Sequence, residues 1–205
     1  MVFSKMKFPF TFLALFISAF FSNIAVADKA AQLYKTCIAC HGEQGRGNEA
    51  LNAPALVGQQ AWYISNQLTS FKNGWRGAHP NDTLGKQMAA FSQSLSKDDI
   101  TELAQYISAL PTASARKTLE QSGKGYSAYQ ARCGACHGSD ATGNDAFKAP
   151  NLTQLSQHYL ARQMVNFTKG IRGTKTEDKL GRQMAMMAKA ISEEELTLIL
   201  EHLAK

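Results

Sequence analysis

Few stretches of this 205-residue chain alternate apolar and polar residues, so little of it can form half-buried β-strands. Charge of one sign is also in short supply. Twenty-two lysines and arginines against 16 acidic residues leave a net +6, too mild and too scattered for a nucleic-acid surface. Only four cysteines are present, and their spacing argues against a disulfide framework. After Phe21 no apolar run approaches the roughly 20 residues that a spanning helix needs.

The first residues are set aside as a leader. Lys5 and Lys7 form a positive start, a mostly apolar run follows from Phe8 to Phe21, and Ala25-Val26-Ala27 supplies the small-x-small cleavage pattern. Thr11 and Ser18 interrupt the run and Ser22-Asn23 stops it, which disfavours a membrane anchor. Cleavage is expected after Ala27, leaving 178 residues, all four cysteines and a net +4.

What the chain has is an internal repeat. Cys37-Ile38-Ala39-Cys40-His41 recurs 96 residues later as Cys133-Gly134-Ala135-Cys136-His137. The same offset relates Gly47-Asn48 to Gly143-Asn144, Ala53-Pro54 to Ala149-Pro150, and Arg76-Gly77 to Arg172-Gly173. It also carries Gln87-Met88-Ala89 onto Gln183-Met184-Ala185. Between 37–90 and 133–186, 23 of 54 positions are identical without a gap, so one folding unit is duplicated. The chain divides into a leader (1–27), a first domain (28–110), a linker rich in small and polar residues (111–123) and a second domain (124–205). Units this small bury little core, and a large apolar cofactor at the centre of each would supply what is missing.

The pattern is all-α. Short helices are expected before each motif, over Lys29–Thr36 and Tyr126–Arg132, with longer ones over Ala61–Lys72 and Gln157–Thr168. Ser96 with Asp99, and Ser192 with Glu195, mark the starts of two more.

CxxCH is the attachment signature of a c-type haem. The thiols of Cys37 and Cys40, and of Cys133 and Cys136, add across the haem vinyl groups, which places His41 and His137 against the iron. A thioredoxin-like redox pair needs a βαβ context that is missing. A single zinc ion or iron–sulfur cluster would have to bridge the two repeats and leave repeated ligands redundant. Two covalently bound haem c groups are expected.

The sixth iron ligand decides between carrier and enzyme. Met88 is the first domain's one methionine and lies 47 residues after His41; Met184 lies 47 after His137. Both sit in a Leu-Gly-x-Gln-Met-Ala segment, read here as a loop. The second domain also offers Met164, Met186 and Met187, and the repeat selects Met184 among them. No second histidine recurs: His79 is matched by Lys175 and His158 by Trp62, while His202 lies near the chain end. These three are read as surface or packing residues. Histidine–methionine ligation raises the reduction potential, which suits a carrier near the oxidising end of a respiratory chain.

Supporting residues follow from the same repeat. Pro54 and Pro150 come 13 residues after their histidines, where a backbone carbonyl can accept the Nδ1–H; the alternative is an ordinary loop proline. Arg76 and Arg172 sit in Gly-x-Arg-Gly turns and can pair with a haem propionate, although solvated arginines are the favoured reading. Tyr63, Phe71, Tyr159 and Phe167 are placed on the haem face or in the core. The other lysines and arginines are read as solvated surface.

Together, Cys-x-Ala-Cys-His-Gly, Ala-Pro-x-Leu and Leu-Gly-x-Gln-Met-Ala in each half resemble the dihaem cytochrome c4 family, tandem class I cytochrome c domains. The resemblance spans essentially the whole mature chain. It implies a periplasmic electron carrier, often loosely held at the inner membrane, with two domains related by a pseudo-twofold axis and haem edges facing each other. It further implies redox partners: a quinol-oxidising complex as donor and a terminal oxidase as acceptor. The alternative is an electron-accepting subunit of a larger dehydrogenase, such as a flavin enzyme oxidising sulfide. A peroxidase-type enzyme would need an open iron position, against which the paired methionines count.

Overall fold

Helix α1 (29–41) runs straight through the first CxxCH motif. The computed structural model describes residues 29–112 and 119–204; the leader, its cleavage after Ala27 and part of the expected linker lie outside the described residues. A 3₁₀ turn, Glu49–Leu51, precedes α2 (Ala61–Lys72), α3 (Thr83–Gln93) and α4 (Lys97–Ser108). The second half repeats the plan with α5 (Gly123–Tyr129), a π-helical stretch (Gln130–Gly134) and a closing turn α6 (Ala135–His137). Then come α7 (Gln157–Thr168), α8 (Lys179–Lys189) and α9 (Glu193–Ala204). Among the described residues the β-pairing consists of two isolated bridges, Asn48 with Ala53 and Asn144 with Ala149.

The helix starts have local causes. Ser96 Oγ accepts from Asp99 N–H at 3.0 Å and the Asp99 carboxylate accepts from Ser96 N–H at 2.9 Å, closing a capping box on α4. Ser192 and Glu195 make the same reciprocal pair at α9. Along α4 the buried residues are Ile100, Leu103, Ala104 and Ile107, an i, i+3, i+4, i+7 stripe, packed with Tyr34, Ile64 and Leu68. In the second half Ile199, Leu200 and Leu203 pack with Tyr129 and Leu160.

Two features depart from the sequence reading. The methionine segments are helices, not loops: Met88 lies inside α3 and Met184 inside α8. Asp82 and Asp178 start them by accepting from the N–H of Gly85 and Gly181 at 3.0 and 2.9 Å. A Cβ on either glycine would overlap the capping carboxylate, and Gly77 and Gly173, at φ +78, are bare for a different reason: a Cβ there would overlap the Gly85 or Gly181 carbonyl. The second departure is register. Tyr34 Oη donates to Gly42 O at 2.8 Å and Tyr129 Oη to Gly138 O at 2.7 Å, so these tyrosines are equivalent although 95, not 96, residues apart. The π-helical stretch that runs into the second motif absorbs the extra residue.

The two halves meet through reciprocal contacts. Gln59 Nε2 donates to Asn151 O at 2.7 Å and Asn151 Nδ2 donates to Gly58 O at 3.1 Å. Arg162 binds Asn52 through both Nη atoms, and Trp62 Nε1 donates to the Asp145 carboxylate at 2.5 Å. Arg162 is thereby an interface residue rather than the solvated arginine expected.

Candidate functional site

The segment after each CxxCH motif delivers one carbonyl to one imidazole. Gly47 N–H donates to His41 O at 2.8 Å, and Asn48 and Ala53 exchange two backbone bonds of 2.9 Å. Gly47 has φ +80, and an added Cβ would collide with the backbone of Pro54 and Ala55, so only glycine permits this crossing. The next carbonyl, Pro54 O, lies 2.8 Å from His41 Nδ1. In the second half the bridge is Asn144 with Ala149, and Pro150 O lies 2.9 Å from His137 Nδ1. A carbonyl only accepts, so Nδ1 carries the proton and Nε2 presents a bare lone pair. Both rings are buried, and that burial lowers their proton affinity, keeping the imidazoles neutral.

Each histidine lines a deep apolar cleft with the other candidate ligands of its half. Cys37, Cys40, His41 and Met88 share the first; Cys133, Cys136, His137 and Met184 share the second. The four thiols therefore do not converge on one ion. Counting their open mouths, the clefts hold about 1630 and 1270 Å³ of space that protein atoms do not fill. Burial pushes the Cys37 thiol up to about 11 and the Cys133 thiol up to about 12, the opposite of the acidic thiols that drive disulfide exchange. Met164 and Met187 also line the second cleft, whereas Met186 is 68% exposed and does not. His79, His158 and His202 line neither cleft; His202 is buried against Tyr126 and Tyr129.

Arg76 and Arg172 are not solvated. Each is 7% exposed and sits over a phenylalanine ring, Arg76 4.4 Å from the Phe71 centroid and Arg172 4.5 Å from that of Phe167. Gln67 Oε1 accepts from Arg76 Nη1 at 2.6 Å and Arg172 Nη2 at 2.7 Å. Gln163 Oε1 accepts from Arg76 Nη2 at 3.0 Å and Arg172 Nη1 at 2.7 Å. Arg76 also donates to Tyr159 Oη at 3.0 Å, and Tyr63 stands beside Arg172 on the other side of the pseudo-twofold. The result is a pseudo-twofold ring between the clefts, in which Tyr63, Gln67, Tyr159 and Gln163 line both. The glutamines recur at the 96-residue offset, a signal the sequence carried but single-repeat reasoning passed over.

These residues fit a haem. Each cleft supplies two thiols, a neutral imidazole, at least one thioether and a buried arginine. Among the described residues the Nε atoms of Arg76 and Arg172 have no partner, and a buried guanidinium N–H left so requires an acceptor. A haem propionate is an acceptor of the right charge.

The sequence profile of the cytochrome c family matches this chain twice, over residues 27–111 and 122–205. The chain is 30% identical to cytochrome c4 of Azotobacter vinelandii, an alignment covering 78% of this chain and 82% of that protein. It is 33% identical to the thiosulfate dehydrogenase electron acceptor of Thiomonas intermedia, covering 78% and 73%. The crystal structure of reduced cytochrome c4 from Pseudomonas stutzeri superposes with a TM-score of 0.67 over 87% of this chain and 97% of that one, at 23% identity. With two matched domains, two equivalent clefts and a c4 relative aligned over most of its length, the chain belongs to the cytochrome c family as a tandem, dihaem c4-type protein that binds two haem c groups and transfers electrons.

Proposed function

We propose that the protein is an exported electron carrier in which both irons are held between imidazole and thioether. Cys37 and Cys40 tether one haem and Cys133 and Cys136 the other. His41 Nε2 with Met88 Sδ, and His137 Nε2 with Met184 Sδ, would hold the two irons. The observation that carries this reading is the same donor set at the same spacing in two separate clefts. When bound, each haem supplies one-electron chemistry by cycling between ferric and ferrous iron. The chain's part would be to hold each iron between an imidazole and a thioether of its own, which would leave no position open to a substrate. The Pro54 and Pro150 carbonyls fix the imidazole tautomers, and Arg76 and Arg172 present their Nε–H groups to propionates. Export after Ala27 places it in the periplasm, between a quinol-oxidising complex or another donor and a terminal oxidase.

A second reading is supported by the likeness to a thiosulfate dehydrogenase electron acceptor: the donor is a dehydrogenase, and the chain is its dedicated acceptor. Copurification with a dehydrogenase at near-equal stoichiometry favours it over the freely diffusing carrier.

Mass analysis of the exported protein tests attachment, with two haems expected. Met88→Ala abolishes the sulfur-to-iron absorption at the red end of the ferric spectrum for one haem and lowers that haem's potential, and Met184→Ala does so for the other. Met186→Ala and Met187→Ala leave both bands in place. An unchanged band in Met88→Ala removes it as a ligand.

A further inference from the structure

The two halves share a fold but not a charge distribution. In the second half Lys169 and Lys175 bracket the connection from α7 to α8, and Lys179 and Arg182 open α8; all four are exposed. The residues at the same places in the first half are Asn73, His79, Thr83 and Lys86. Four cations thus replace one. Among the described residues none of the four is in an ion pair, and the one exposed carboxylate in the connection is Glu177, beside Lys175. Lys179 and Arg182 also stand in or beside the first turn of α8, where the backbone dipole presents positive charge and the one acidic group, the Asp178 cap, is buried and accepts from Gly181 N–H. Such placement costs helix stability and concentrates a positive field.

The field lies beside apolar surface and beside a haem cleft. Val165 on α7 and Met186 on α8 are 42% and 68% exposed, whereas the first-half counterparts are Thr69 and Ala90. The other side of α8 lines the second cleft through Leu180, Gln183, Met184 and Met187. A partner seated here is one helix away from the second haem.

We propose that this face of the second half is the docking surface for a redox protein with an acidic, apolar-centred face, so that electrons are exchanged with that partner through the second haem. The proposal rests on the carrier reading above. Complementary charge speeds encounter, by 10 to 1,000-fold in well-steered pairs, and the apolar centre supplies contact area.

Stopped-flow oxidation of the reduced dihaem protein by acidic plastocyanin tests this. The triple variant Lys175→Gln, Lys179→Gln, Arg182→Gln is expected to lower the bimolecular rate constant about tenfold at low ionic strength. The difference closes above about 0.15 M salt, where the screening length falls to about 8 Å. A control removing three exposed lysines of the first half, Lys35→Gln, Lys86→Gln, Lys97→Gln, stays within about twofold of the parent. Equal loss in both variants, no loss in either, or a loss matched by lowered haem potentials overturns the proposal. So does a triple variant that loses only its co-sedimentation with phosphatidylglycerol vesicles while its rate is unchanged, which would make the face a lipid contact. Cycling of all variants by ascorbate and hexacyanoferrate keeps the carrier reading separate: failure of the parent to cycle removes that reading and the proposal together.

Discussion

Replacing Gln67 by leucine tests the ring that joins the two halves. Its Oε1 accepts from Arg76 Nη1 at 2.6 Å and from Arg172 Nη2 at 2.7 Å, and both guanidiniums are buried. A hydrogen bond to a charged group contributes about 1.5–3 kcal/mol, so two lost together cost about 3–6 kcal/mol. Leucine recovers part of this through apolar contact, about 1 kcal/mol, which leaves a net loss of about 2–5 kcal/mol. The measurement is urea unfolding of the haem-loaded protein, followed both by helical circular dichroism and by the haem band. At a typical slope of about 1–3 kcal/mol per molar urea, the midpoint falls by about 1 M or more. Pseudo-twofold symmetry makes a second demand: Gln163→Leu removes the mirror pair of bonds and costs the same to within about 1 kcal/mol, though no exposed-site control such as Gln105→Leu exceeds about 0.5 kcal/mol. The double variant costs less than the sum, because an opened interface admits water to every orphaned N–H at once. A Gln67→Leu protein within 0.5 kcal/mol of the parent would refute the reasoning, since two buried cationic donors would then have lost their acceptor for nothing.

Other expectations follow from single contacts. Gly77→Ala forces a Cβ onto the Gly85 carbonyl at φ +78, whereas Gly74→Ala at φ +68 meets nothing nearer than 3.9 Å; the first therefore lowers the thermal midpoint clearly more than the second. Tyr34→Phe and Tyr129→Phe each remove one bond to the glycine after the haem motif and cost about 1 kcal/mol in the same unfolding assay, equally in the two halves. The Asp99 carboxylate is held well below the usual range by Lys29 Nζ at 2.7 Å, with help from Ser96. A carboxylate depressed in the folded state stabilises above its unfolded value of about 3.9 and loses that contribution as pH falls through the folded value. Asp99→Asn accordingly melts earlier than the parent near pH 6, and the gap narrows as the pH is taken below about 4; a constant gap would contradict the assignment.

Much of this protein was readable before any coordinates. CxxCH needs two thiols on one turn with the imidazole immediately after, a requirement local enough to appear as five consecutive residues. Duplication then singled out Met184 as the proposed ligand among the second half's methionines, because equal spacing from two histidines is a constraint no single repeat supplies. Capping at Ser96 and Ser192 was legible for the same reason, its partners being three residues away. What tertiary structure alone decided were the relations between segments distant in the chain. The methionine segments, read as loops, contain Gly85 and Gly181, and glycine is a poor helix former. They are helices capped by Asp82 and Asp178, and the Gly77 and Gly173 backbone packs onto the Gly85 and Gly181 carbonyls so closely that a Cβ at 77 or 173 would overlap them. The arginines looked solvated because each repeat, taken alone, leaves them at its surface. Only the packing of one copy on its twin buries them, and that burial converts two ordinary cations into a paired site whose remaining donors demand an anion.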